Sequence, residues 1–280
     1  MPLCDLTLYT QFLEHSPELS KAWVPSLDLP LPKVIEICAQ LPTLNSKSIE
    51  APLADFEKQV AKWRNLTSFT WIASNLLPYC VKQKYDELVK NFLSPFETIA
   101  VLDRYFKNPP PLLIVNMEKF GYGLFAKTNI KKGTLVCTYA GKLILSDSNF
   151  EERVDQCYTV GVRTSSVLTA IFQANTENTN LEITLDRSQH FPAFIDGSEY
   201  GNWGSFLQHL PSPDSAAGKT AAATANLITI GADYRYYPCY YFQAARDIEA
   251  NEILGFDYGE NYWKNQNKSP VFFDKYGRVI

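Results

Sequence analysis

The residues of this chain best suited to chemistry lie in its second half. Gly121-Tyr122-Gly123-Leu124-Phe125-Ala126 fits G-x-G-x-x-A, the loose form of a dinucleotide-binding fingerprint, and follows an apolar run suited to a strand. That fingerprint needs a helix next, whose N-terminus holds a pyrophosphate. Lys127–Thr138 offers Lys-Lys-Gly and a β-type run instead, so the spacing by itself reads as a turn. Tyr139 ends that run, Tyr158 lies within QCYTVGV, His209 is one of three histidines, and Phe256-Asp257-Tyr258 precedes Trp263. Taken singly, each has a plain structural role. A tyrosine at a strand end is half-buried, a lone histidine packs, and a tryptophan fills a core. Five further tyrosines crowd positions 234–241. Alternation along a strand leaves two readings open: a surface that binds a peptide, or packing against the N-terminal part of the chain.

Metal chemistry finds no support in the spacing. The six cysteines are scattered and form no C-x-x-C pair, so reduced, mostly buried thiols are expected. The net charge of −4 comes without a basic stripe, which argues against direct nucleic-acid binding. No apolar run approaches the ~20 residues that span a bilayer. MPLCDLTLYT lacks the basic and apolar regions of a signal peptide, so an intracellular, soluble protein is expected.

Two kinds of element must position these residues. The first 107 residues are expected to be helical: Phe56, Val60 and Trp63 recur at i, i+4 and i+7, and Tyr85, Leu88, Val89 and Phe92 repeat the pattern. Ser94-Pro95-Phe96-Glu97 reads as a capped helix start. Asn108–Pro111 then ends the helix and serves as a linker. From Leu112 to Ile280 the apolar runs shorten (LLIV, TLVCTY, LEITL, NLITI, CYYFQA) and alternate with turn residues, which predicts a β-rich domain. Residues 211–224, PSPDSAAGKTAAAT, form a low-complexity insert: an exposed loop, or a mobile lid over an entrance.

Three stretches together resemble the SET domain of protein lysine methyltransferases: FGYGLFAKTNIKKGTLVCTYAGKLI, FIDGSEYGNWGSFLQHL, and FQAARDIEANEILGFDYGENYW. The last is similar to the euchromatic histone methyltransferase subgroup. The resemblance implies an α+β fold of several small sheets with a threaded, pseudoknot-like C-terminal segment. It implies S-adenosylmethionine as cofactor, contacted by Tyr122, Gly123, Tyr158, Gln208, His209, Asn226 and Trp263. It implies a substrate-lysine channel of Tyr139, Phe256 and Tyr258, with Tyr258 and Tyr139 catalytic. Phe256 in that position resembles enzymes that make di- or trimethyl-lysine. Two departures stand out: Gln208 replaces the usual asparagine and Ser205 a common arginine. The cysteine-rich zinc modules of many relatives are missing.

The partner so implied is a protein carrying a target lysine, with a histone tail as one option, and neither nucleic acid nor membrane. Cytoplasm, nucleus, or a host cell reached by a bacterial effector all suit that partner. The region before the SET-like part is expected to choose the substrate or dock a partner. The two departures and the insert motivate an alternative, a SET-derived interaction module without catalysis.

Overall fold

The computed structural model describes residues 22–39, 41, 47–92, 99–145, 156–165, 168, 190–234 and 237–280. Four helices punctuate these residues: α1 (Leu53–Arg64), α2 (Tyr79–Phe92), α3 (Ile99–Lys107) and α4 (Glu260–Gln266). The strands are short. Before α3 come β1 (Trp23–Pro25), β2 (Val34–Cys38), β3 (Ser48–Pro52), β4 (Thr70–Trp71) and β5 (Leu76–Pro78). After it come β6 (Leu112–Asn116), β7 (Tyr122–Ala126), β8 (Leu135–Tyr139), β9 (Lys142–Leu145), β10 (Thr159–Ser165), β11 (His190–Asp196) and β12 (Tyr200–Gly201). The last four are β13 (Gln208–His209), β14 (Leu227–Tyr234), β15 (Tyr237–Ala244) and β16 (Gly255–Phe256).

They assemble into small sheets ordered β1-β5-β9-β11-β10, β3-β2-β6-β7 and β14-β15-β8, plus the parallel pairs β12-β4 and β13-β16. This is the α+β arrangement expected. The segment 254–256 is hemmed in by earlier chain: Leu254 N–H donates to Leu124 O, Gln208 N–H to Leu254 O, Leu210 N–H to Phe256 O and Asn226 N–H to Gly255 O. That is the placement expected of a threaded C-terminal segment.

Residues 1–107 differ from the all-helical expectation. Among the described ones, five strands accompany the three helices; β1 pairs with β5 and β3 with β2, and three of the five take partners far downstream. β2 pairs with β6, β4 with β12, and β5 with β9. Asn108–Pro111 separates α3 from β6, yet the sheets continue across it. The capped start at 94–97 and the run LEITL at 181–185 lie outside the described residues.

α1 carries the apolar spacing into three dimensions. Phe56 and Val60 are fully buried. The Phe56 ring meets Trp71, Tyr122 and Phe206 at centroid separations of 6.1, 5.5 and 5.5 Å. The helix stops at Asn65 in the left-handed conformation (φ 55°). There Leu66 N–H returns to Ala61 O and Asn65 N–H to Lys62 O, a pair of bonds that satisfies terminal carbonyls.

The tyrosine crowd resolves mainly into packing. Tyr234 donates to Asp103 of α3 and Tyr237 to Asp86 of α2. Both tyrosines are buried. Tyr240 alone of the described group reaches the cavity of the site below.

The insert is closed at its base, where Ala225 N–H donates to Pro211 O. It folds on itself through Ser215, whose hydroxyl donates to Ser212 O and accepts from Gly218 N–H. Ser212 N–H ties it to the Asp257 carboxylate at 2.9 Å.

Candidate active site

One cavity of about 560 Å³ gathers most of the singled-out side chains: Tyr122, Tyr139, Tyr158, Gln208, His209, Phe256, Tyr258 and Trp263. Its size falls in the usual range for small-molecule sites. Several elements converge to make it: β7 brings Tyr122, β8 ends in Tyr139, and the pair β13-β16 supplies Gln208, His209 and Phe256.

The two catalytic candidates are anchored alike. The Tyr139 hydroxyl donates to Tyr158 O at 2.5 Å, and the Tyr258 hydroxyl donates to Leu207 O at 2.6 Å. Burial pushes both phenols above their ordinary pKa. Each therefore stays protonated, spends its hydrogen on a main-chain carbonyl and turns oxygen lone pairs elsewhere. Phe256 packs on Tyr258 at 4.8 Å and on Phe242 at 4.9 Å, so its ring is held between two others.

His209 is buried and neutral at pH 7. Burial lowers its pKa, against a smaller upward pull from Asp257. Its Nδ1 accepts the Tyr258 N–H at 3.3 Å, which an imidazolium could not do. The Asp257 carboxylate stands 3.8 Å away, but its oxygens serve the N–H groups of Ser212 and Gly259. The pair is thus not an ion pair. Trp263 meets His209 edge-on at 5.0 Å and stacks with Tyr258 at 6.1 Å. Its indole Nε1–H is buried with no protein acceptor.

Other residues sit differently from expectation. Tyr158 belongs to a 3₁₀ turn (Gln156–Tyr158) before β10, not to the strand itself. Gln208 uses its Nε2 on Tyr122 O at 3.0 Å, within the cavity lining. Gly123 and Asn226 are outside that lining. Gly123 backs onto Met117, whose sulfur would lie 2.3 Å from an added Cβ. Asn226 is fully buried and bridges the threaded segment. Its Nδ2 donates to Ile253 O at 2.7 Å and to Glu252 Oε1 at 3.2 Å, and its Oδ1 accepts from Gly255 N–H at 3.1 Å. Both positions hold the frame on which the cavity is built.

Two residues missed by motif reading come from α1. Trp63 lines the cavity. Arg64 donates to Gly197 O (2.9 Å), Ser198 O (2.8 Å) and Ser205 O (3.2 Å), with its guanidinium 4.0 Å from the Tyr158 ring. Ser205 holds the position of a common arginine, and here Arg64 grips its carbonyl. The helical spacing marks Trp63 only as a core candidate and nothing local marks Arg64, because their places around the cavity exist only once α1 docks.

Among the described residues, no three His, Cys, Asp or Glu side chains are grouped to hold a metal ion. No described helix is long and apolar enough to cross a membrane.

A β-rich frame, a threaded segment and a tyrosine-walled cavity define the class: residues 121–259 match the SET domain, and the chain carries that domain across about half its length. It is 29% identical over 157 residues to the histone-lysine N-methyltransferase EHMT1 of Homo sapiens, covering 56% of this chain and 10% of that protein. It is 31% identical over 157 residues to the histone-lysine N-methyltransferase SUVR3 of Arabidopsis thaliana, covering 56% of this chain and 40% of that one. The chain thus spans well under half the length of these curated relatives. The solved methyltransferase domain of human SETMAR aligns at 25% identity and a TM-score of 0.36, over 54% of this chain and 45% of that one.

Proposed function

We propose that the chain is an S-adenosylmethionine-dependent protein-lysine N-methyltransferase, with a lysine-bearing histone segment as the first substrate to try. The observation that carries this reading is the pair of anchored phenols. Tyr139 and Tyr258 line one cavity, each with its hydroxyl hydrogen committed to a main-chain carbonyl.

The residues present suit the cofactor. Trp263, whose buried Nε1–H has no protein acceptor, lines the cavity, and the volume accommodates an adenosyl ligand together with a side chain. Tyr122, Gln208, His209 and Trp263 would hold it. When bound, S-adenosylmethionine supplies a methyl group already activated on a sulfonium.

The chain's own task is to deliver a neutral, aligned amine. An unperturbed lysine ammonium has a pKa of ~10.4, so deprotonation at pH 7 costs about 4 kcal/mol. Walls of Tyr139, Phe256 and Tyr258 lower that cost, because desolvation disfavours the charged form. Neither phenol acts as the base, since burial raises both, and the proton leaves to solvent. Their oxygens accept from the amine N–H groups and aim the remaining lone pair. Such orientation contributes several kcal/mol to the rate. Phe256 offers no hydroxyl to hold a space-filling water, which supports di- or trimethyl-lysine as product.

The test pairs calorimetric titration of S-adenosylmethionine with transfer of a radiolabelled methyl group to histones. Tyr258→Phe is expected to bind cofactor within about threefold of the parent while transfer falls ~100-fold or more. Normal transfer by that variant would defeat the assignment.

A further inference from the structure

We infer that the cofactor site is completed from outside the SET match: Trp63, in the last turn of α1, is a binding residue for S-adenosylmethionine. The inference rests on the function proposed above and extends it to a part of the chain for which that family match says nothing.

Four observations meet at this side chain. Trp63 lines the same cavity as Tyr139 and Tyr258, although the intervening chain is long. It is 37% exposed, whereas Phe56 and Val60 on the same helix are fully buried, so its face is not spent on the core. Its ring lies over the start of the glycine-rich turn: an added Cβ on Gly121, at φ +80°, would stand 1.8 Å from it. It also meets Tyr122 edge-on at 5.6 Å. A flat apolar wall beside a backbone turn that only glycine can make is what a planar, partly apolar ligand packs against.

The wall is fixed in place before any ligand arrives. The left-handed Asn65 ends α1 immediately after Arg64, and Arg64 is fastened to three carbonyls of the 197–205 stretch. Trp71 N–H is bound by Glu57 of the same helix at 2.6 Å, and β4 then pairs with β12. Helix and SET domain are thereby joined on both sides of Trp63, leaving the indole with little freedom to lose on binding.

The experiment is calorimetric titration of the full chain with S-adenosylmethionine and with S-adenosylhomocysteine, using the parent, Trp63→Ala, Trp63→Leu and Trp63→Phe. The expected result is about 10- to 30-fold weaker binding of both ligands by the alanine and leucine variants, as for an aromatic face withdrawn from a ligand. Trp63→Phe, which keeps a flat ring, should stay within about threefold. Leucine keeps bulk against Gly121 and Tyr122, so it separates loss of the face from loss of packing should alanine melt early. Parent-like affinity in the leucine variant overturns the inference while leaving the proposed function intact. A parent chain that binds neither ligand overturns both.

Discussion

Arg64 offers a sharp test of how Tyr139 is held in the cavity wall, because its bonds form a chain. It grips Gly197 O, Gly197 N–H donates to Tyr158 O at 2.9 Å, and Tyr158 O receives the Tyr139 hydroxyl. Arg64→Met keeps most of the stem and removes the fork. Three charge-assisted bonds are lost, each worth about 1.5–3 kcal/mol when buried, and a cation–π contact worth about 1. Arg64 is only partly buried, so water recovers much of this, and about 2–4 kcal/mol should remain. At about 2–4 °C per kcal/mol for a chain of this size, melting should fall by roughly 5–15 °C. Arg64→Lys should recover less than half, since an ammonium cannot span three carbonyls in one plane. The assay is thermal unfolding followed by circular dichroism, with methyl transfer measured well below the transition. Transfer should fall in Arg64→Met even where the protein is folded, because Tyr139 loses its fixed acceptor. A shift under about 2 °C with unchanged transfer would refute the relay.

Asn226→Ala should destabilise by about 3 kcal/mol, having stranded partners on Ile253 and Gly255, with cofactor affinity of the folded protein kept. Chemical denaturation beside calorimetry checks this; weakened affinity at unchanged stability would make Asn226 a ligand contact after all. His209 gives a pH signature. Its folded pKa lies below the unfolded value near 6.5, so its contribution is complete above the unfolded value and is lost as pH falls from there through the lower folded pKa. Melting temperature should decline between pH 7 and 5.5, and His209→Gln should flatten the slope; equal slopes would mean that His209 is not the group responsible. Phe256→Tyr should move product toward monomethyl-lysine, read by mass spectrometry on a peptide, and an unaltered distribution would remove Phe256 as the limiting residue.

Sequence motifs reached the cavity where side-chain identity decides the role, and stopped where position in space decides it. Tyr139, Phe256 and Tyr258 are legible because the family resemblance rests on those residue types, and the three do line one cavity. Gly123 and Asn226 carried the right letters in the right order. Both lie outside the cavity lining, and a Cβ at Gly123 would meet Met117 while the Tyr122 side chain lines the cavity. The strands before α3 were missed for another reason. VIEIC and the two-residue β4 hold too few residues to show a period, and β4 and one edge of β2 are completed only by strands beyond Leu112. The helical spacing of Phe56, Val60 and Trp63 was real, but its last member serves the cavity and not the core.

The pairing of β4 with β12 and of β5 with β9 has a consequence for how the molecule comes into being. On the ribosome, the residues around Trp71 and Leu76 emerge long before Gly201 and Lys142 exist to receive them. β5 can meet the earlier β1, but β4 has no partner until β12 exists, and Trp71 and Ile72 beside it are buried in the finished protein. Contacts so distant in sequence make folding slow and leave sticky surface during synthesis. The N-terminal third and the later strands thus share sheets, and the finished sheets need both parts of the chain.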